Sequence, residues 1–176
     1  TADMIITERI TLRPIELKDN KEVFFYRSDA ETNKYQGWTP KSIKEIDEFI
    51  SKNPKEFNIS ETWFQLVILE NVSKTIIGDV GIHFIDKEQC EIGITLAKKH
   101  HSKGFAKEAL KAVIDYLFNT LNKHRIITSI DPRNVNSLKL VEALELRKEA
   151  HFKKSLFFKG EWVDDIIYAT LKTEWK

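Results

Sequence analysis

Between residues 98 and 107 the chain gathers Lys98, Lys99, Lys103 and Lys107 with His100 and His101, and no carboxylate intervenes before Glu108. Gly104 stands among them, just ahead of a segment with helical spacing. A helix amino terminus leaves N–H groups unpaired and carries about half a positive charge from its dipole. A glycine there lets a ligand approach the main chain with no Cβ in the way. With the lysines added, the natural occupant of this turn is a phosphate. The competing reading is a solvated helix start whose lysines face water. The chain has no G-x-x-x-x-G-K-[ST] stretch and no G-x-G-x-x-G after a strand, so a triphosphate cradle and a Rossmann dinucleotide site are both disfavoured.

The elements that must hold this turn follow from the pattern of apolar residues. Residues 10–15, "ITLRPI", alternate and predict a strand. Asp19 with Glu22 predicts a capping box for a helix through "KEVFFYR". Thr39 as N-cap and Pro40 at the first position predict a second helix, with Ile43, Ile46, Phe49 and Ile50 on one face. Residues 63–69, 75–85 and 89–96 predict three strands joined as antiparallel hairpins. Ala106, Ala109, Leu110, Val113, Leu117 and Leu121 keep the spacing of a long amphipathic helix. "RIITSI" at 125–130 is a strand, "NSLKLVEAL" a short helix and "WVDDIIYATL" a closing strand. The expected fold is α+β, a mixed and mostly antiparallel sheet of about seven strands flanked by about four helices.

At 176 residues, 41% of them hydrophobic, the chain suits a single domain spanning 1–176. The net charge of +1 confines the basic turn to one place and argues against nucleic-acid or membrane partners. A lone cysteine, Cys90, excludes an internal disulfide framework and a cysteine-rich metal site, so no metal is expected. With no signal-like amino terminus and no apolar run near 18 residues, the expected location is the cytoplasm.

The order of these elements and five stretches in sequence resemble the Gcn5-related N-acetyltransferase (GNAT) superfamily, and within it the branch of ribosomal-protein N-terminal acetyltransferases. The stretches are "TERITLRPIELKD", "EIGITL", "HSKGFAKEAL", "NVNSLKLVEAL" and "KGEWVDDIIYATLKTEW". "HSKGFA" resembles the family's pyrophosphate loop, with Gly104 and Ala106 at its small positions and His101 where Gln or Arg is usual. Leu144-Glu145-Leu146 replaces the usual L-G-F after the last helix. Glu145 in a left-handed cap costs about 1 kcal/mol against glycine.

The resemblance implies acetyl-coenzyme A as cosubstrate, with His101, Ser102, Lys103, Gly104, Phe105, Ala106 and Lys107 at its diphosphate. Ile94, Thr95 and Leu96 would lie along the pantetheine arm, on a strand that in the family carries a bulge. Asn134 either binds the arm or caps a helix. Relatives draw the acid for the leaving thiolate from a tyrosine at the position of Val141, so Ser137 is the replacement, with a helix cap as its competing role. Glu91 is the first candidate for general base. Asp164 is a second, or else binds substrate or holds the closing strand. His83 reads as structural, and Cys90 as a packed apolar residue rather than an acyl carrier. Tyr35 and Trp38, with Trp63 and Trp162, are candidates for the acceptor pocket or the core. The implied reaction is acetyl transfer to a primary amine in a ternary complex. The favoured acceptor is a protein amino terminus, and a small-molecule amine or a non-catalytic coenzyme A sensor are the alternatives. The protein is expected as a monomer or homodimer.

Overall fold

The computed structural model describes residues 5–176. Its strands are β1 (Ile5–Ile6), β2 (Ile10–Pro14), β3 (Thr62–Glu70), β4 (Ile76–Phe84), β5 (Gln89–Leu96), β6 (Arg125–Ile130), β7 (Arg147–Phe158) and β8 (Glu161–Leu171). They form one sheet in the order β1-β2-β3-β4-β5-β6-β8-β7, antiparallel except where β5 meets β6. The helix α3 (Phe105–Asp115), extended by a π-helical turn at Tyr116–Thr120, crosses between these two parallel strands. With α4 (Val135–Ala143) it covers one face, its Val113 packing over Ile82, Phe84 and Ile92. On the other face α1 (Asn20–Arg27) and α2 (Ile43–Ser51) bury Val23, Ile46 and Ile50 against Val67 and Ile76.

Two expected helix starts differ from the structure. The Asp19 carboxylate is taken by both terminal nitrogens of Arg13 at 2.8 Å, and Glu22 accepts from the Ile76 N–H, so these two residues form no capping box. Ser42, not Thr39, caps α2 by accepting from the Glu45 N–H, while the Thr39 hydroxyl is occupied by Asn33. Asp19 instead closes the preceding turn, accepting from the Glu16 N–H at 2.8 Å, and Thr39 is engaged before the helix begins.

The strand β7 escaped sequence reading. Nearly every residue along "RKEAHFKKSLFF" is exposed, because the strand is the sheet edge and its apolar residues do not alternate. Glu145 does occupy the left-handed cap, with φ +61°, and the Leu146 N–H closes the helix end on the Val141 carbonyl at 3.0 Å. Glu145→Gly is therefore expected to raise stability by about 1 kcal/mol in urea unfolding. An unchanged midpoint would show that the strain is relieved elsewhere.

Candidate functional site

Pairing of β5 with β6 ends at Glu91↔Ile127, whereas pairing of β5 with β4 runs unbroken to Gly78↔Leu96. No register shift marks the bulge expected in β5. The strand instead leaves β6, and the edge from Ile92 to Leu96 has no strand partner on that side. A cleft of about 630 Å³ opens at this divergence. It is lined by Ile94–Leu96, by the basic turn and the start of α3, by 133–137, 139, 140 and 143 around α4, and by 31, 32 and 34–36 from the α1–α2 connection.

The turn is shaped by main-chain geometry. Ser102 and Gly104 have φ of +62° and +81°, and Gly104 caps α3 without any side-chain bond to its free N–H groups. Arg9 locks the turn from outside. Its Nη1 donates to the Lys103 carbonyl at 2.9 Å, its Nε pairs with Glu108 at 2.6 Å, and its guanidinium lies 4.3 Å over the ring of buried Phe105. Burial pushes the Glu108 carboxyl up, but hydrogen bonds from Thr7 and Arg9 outweigh it and hold it below the ordinary range. A Cβ on Gly104 would meet Arg9 Nη2 at 3.3 Å. No local sequence signal pointed to Arg9, since ninety-odd residues separate it from its partners.

Charge in the cleft is one-sided. Lys34, Lys98, Lys107, Lys139 and Arg133 line it, and Glu31 is the only carboxylate residue among the described lining. Lys103 is not part of the lining and contributes its carbonyl to Arg9. His101 lines the cleft, yet its Nε2 bonds the Leu96 carbonyl at 2.7 Å and its N–H bonds that of Lys98. Its side chain is thus a strut between turn and strand. His100 is held below its usual pKa, first by burial and then by Lys99 and Lys103.

On the opposite lip Asn134 caps α4 by accepting from the Ser137 N–H at 3.2 Å, and both residues line the cleft. The Ser137 hydroxyl has no bond within the described residues, so the cap falls to Asn134 and the serine is free. Val141 stands one turn further on the same helix face, 2% exposed within the core.

The acceptor candidates separate. Tyr35 lines the cleft, with the Arg133 guanidinium 5.7 Å from its ring. Trp38 lies outside the lining and packs on Phe49 at 5.1 Å beside the second core. Asp164 is also outside. It accepts from His151 Nε2 and the Lys154 N–H, each at 2.8 Å, and the Lys154 bond, then His151, keeps its carboxyl below the usual range. That carboxylate is spent on the β7–β8 hairpin. Glu91 does not line the cleft but ends the paired part of β5, at the apex of the divergence. Cys90 is fully buried and its thiol is pushed up to about 11 by desolvation, which leaves no thiolate for an acyl-enzyme.

The loop that closes the cleft is tied at residues 32–34 from two sides. The Lys98 N–H donates to Thr32 Oγ1 at 3.3 Å, and Lys159 Nζ donates to the Asn33 and Lys34 carbonyls. Lys159 and Gly160 form the two-residue turn between β7 and β8, both at positive φ. Among the described residues no group of three or more His, Cys, Asp or Glu is placed to hold a metal ion, and no helix is long and apolar enough to cross a membrane.

A diphosphate ligand with a long flexible arm fits this arrangement: free helix amides and cations at one end, a strand edge without a partner at the other. The Acetyltransferase (GNAT) domain family matches residues 9–147. An uncharacterized N-acetyltransferase p20 from Bacillus licheniformis is 34% identical over 98% of both chains. A spermidine N(1)-acetyltransferase from Vibrio cholerae is 26% identical, covering 90% of this chain and 91% of that one. A ribosomal protein uS5-alanine N-acetyltransferase from Escherichia coli is 29% identical over 68% of this chain and 63% of that one. The crystal structure of a GNAT-family acetyltransferase from Bacillus anthracis superposes with a TM-score of 0.89 at 29% identity, over 98% of this chain and 100% of the other. The chain belongs to the GNAT family of acetyl-coenzyme A-dependent N-acetyltransferases.

Proposed function

We propose that this chain binds acetyl-coenzyme A in the cleft and acetylates the amino terminus of a polypeptide by direct attack in a ternary complex. The observation that carries the cofactor half is the pairing of a left-handed Gly104 at an uncapped helix start with a β5 edge freed from β6. The amides following Gly104 hold the diphosphate, and Lys98, Lys107 and Lys139 balance its charge. Ile94, Thr95 and Leu96 lie along the arm, and an N–H on the unpaired edge of this run stabilises charge developing on the acetyl carbonyl. Coenzyme A supplies the activated thioester. The chain supplies a base for the amine proton, Glu91 at the apex, and a donor for the departing sulfur, the free Ser137 hydroxyl.

The acceptor reading rests on the acids around the sheet face that carries Glu91. Glu149 is taken by Arg125 and Arg147, and Asp165 by Ser129, so a polycation finds few free carboxylates. A single terminal amine needs only Glu91. The protein acts in the cytoplasm, where acetyl-coenzyme A and ribosomal amino termini are found together.

Thiol release from acetyl-coenzyme A with an alanyl peptide and with spermidine tests this directly. Faster turnover of the peptide is expected. Preference for spermidine would move the assignment to the polyamine class, and cofactor binding with no turnover on any amine would favour a sensor. Ser137→Ala is expected to lower kcat by about tenfold or more while coenzyme A affinity stays unchanged. An unchanged rate removes the serine from the acid role.

A further inference from the structure

Trp63, His83 and Glu91 stand side by side on β3, β4 and β5, as the register pairs Trp63↔His83 and His83↔Glu91 require. All three project from the face that α1 and α2 cover only at its other end. The Trp63 and His83 rings are stacked, 4.8 Å apart and 11° from parallel, which fixes the imidazole plane. His83 Nδ1 is buried, has no hydrogen-bond partner and lies 3.6 Å from Glu91 Oε1. A Cβ on Gly93, next along that face toward the cleft, would meet nothing within 4 Å. The path from Glu91 to the free edge of β5 is therefore open.

We propose that His83 is a positioning residue for Glu91, carrying its proton on Nδ1 and donating it to the carboxylate. This rests on the reading of Glu91 as the base. A bare Nδ1 lone pair facing a carboxylate would be repelled, whereas an Nδ1–H is attracted and closes the gap with a small side-chain rotation. A glutamate on a strand otherwise has its terminal torsions free. The Trp63 stack and the Nδ1–H together aim one carboxylate oxygen along the Gly93 path. The amine gives its proton to Glu91, and its nitrogen forms the new bond to the acetyl carbon as the carbon–sulfur bond of the thioester breaks. The departing sulfur takes a proton from Ser137 that solvent replaces, and His83 keeps its own proton throughout.

Two measurements test the assignment. Two-bond proton–nitrogen spectra of the imidazoles at neutral pH are expected to show the Nδ1–H tautomer for His83, replaced by Nε2–H in Glu91→Leu. An Nε2–H tautomer in the wild type overturns the proposal, whatever the acceptor proves to be. With the alanyl peptide or spermidine, whichever the wild type acetylates, His83→Phe keeps the ring stack but should lower kcat about tenfold at unchanged acetyl-coenzyme A KM. His83→Asn, whose amide N–H replaces Nδ1–H, should restore most of it. In a Glu91→Gln background His83→Phe should have no further effect, and an equal loss there would mark the histidine as merely structural and sink the proposal. Full activity of Glu91→Gln would remove the base reading itself. A large loss in Glu91→Gln with none in His83→Phe would remove only His83.

Discussion

Gly104→Asp is expected to abolish coenzyme A binding, by about 100-fold or more in Kd, equivalent to about 2.8 kcal/mol. The new carboxylate would sit at the amino end of α3, where under the proposed function the free amides hold the diphosphate, and would both fill and repel. The fold should survive. Aspartate tolerates the left-handed region better than most residues, and the position costs about 1 kcal/mol. The nearest atom is Arg9 Nη2, the far end of a flexible side chain. Calorimetric titration with coenzyme A, beside a thermal melt of the same variant, separates the two effects. Wild-type affinity in a folded Gly104→Asp protein would show that the cradle lies elsewhere.

Asp79→Ala is expected to cost about 3–5 kcal/mol of stability. Asp79 is 1% exposed and accepts from Arg27 Nε at 3.0 Å, Arg27 Nη2 at 2.7 Å and the Tyr26 hydroxyl. Removing the carboxylate strands a buried guanidinium and a phenol against the sheet. Burial, followed by the charge of Asp79, already holds the Tyr26 phenol well above its usual range. Arg27 ends α1, and the chain passes from there into the 31–36 segment that closes the cleft, so cofactor affinity should fall with stability. Urea unfolding measures the first and titration the second. Replacing Asp79 and Arg27 together by leucine and methionine should be far milder, because no charge is then left alone. A loss below about 1 kcal/mol in Asp79→Ala would mean that the pair is solvated.

Much of the cleft wall was legible in order along the chain. The basic turn, Gly104, the amphipathic helix after it and the strand before it are local features, read from periodicity, charge and one glycine. Asn134 and Ser137 were legible as a pair, but which of them caps α4 was not. That depends on which oxygen faces an N–H once the chain turns after β6. Arg9 was not legible at all, since nothing near it announces Glu108 or Lys103 as partners. Asp164 and Trp38 are of suitable types for an acceptor site, yet the structure spends them on a hairpin and a core.

The amino-acid sequence by itself determined the family, the order of its elements apart from the edge strand β7, and the basic glycine turn at the start of α3. These depend on residue type and short spacing, which a linear chain carries openly. Only the tertiary structure decided where β5 leaves β6, which lysines reach the cleft, and that His83 faces Glu91 with an unpartnered nitrogen. Sheet register and packing bring those groups together, and both are settled by burial and pairing across the whole fold rather than by neighbours in the chain.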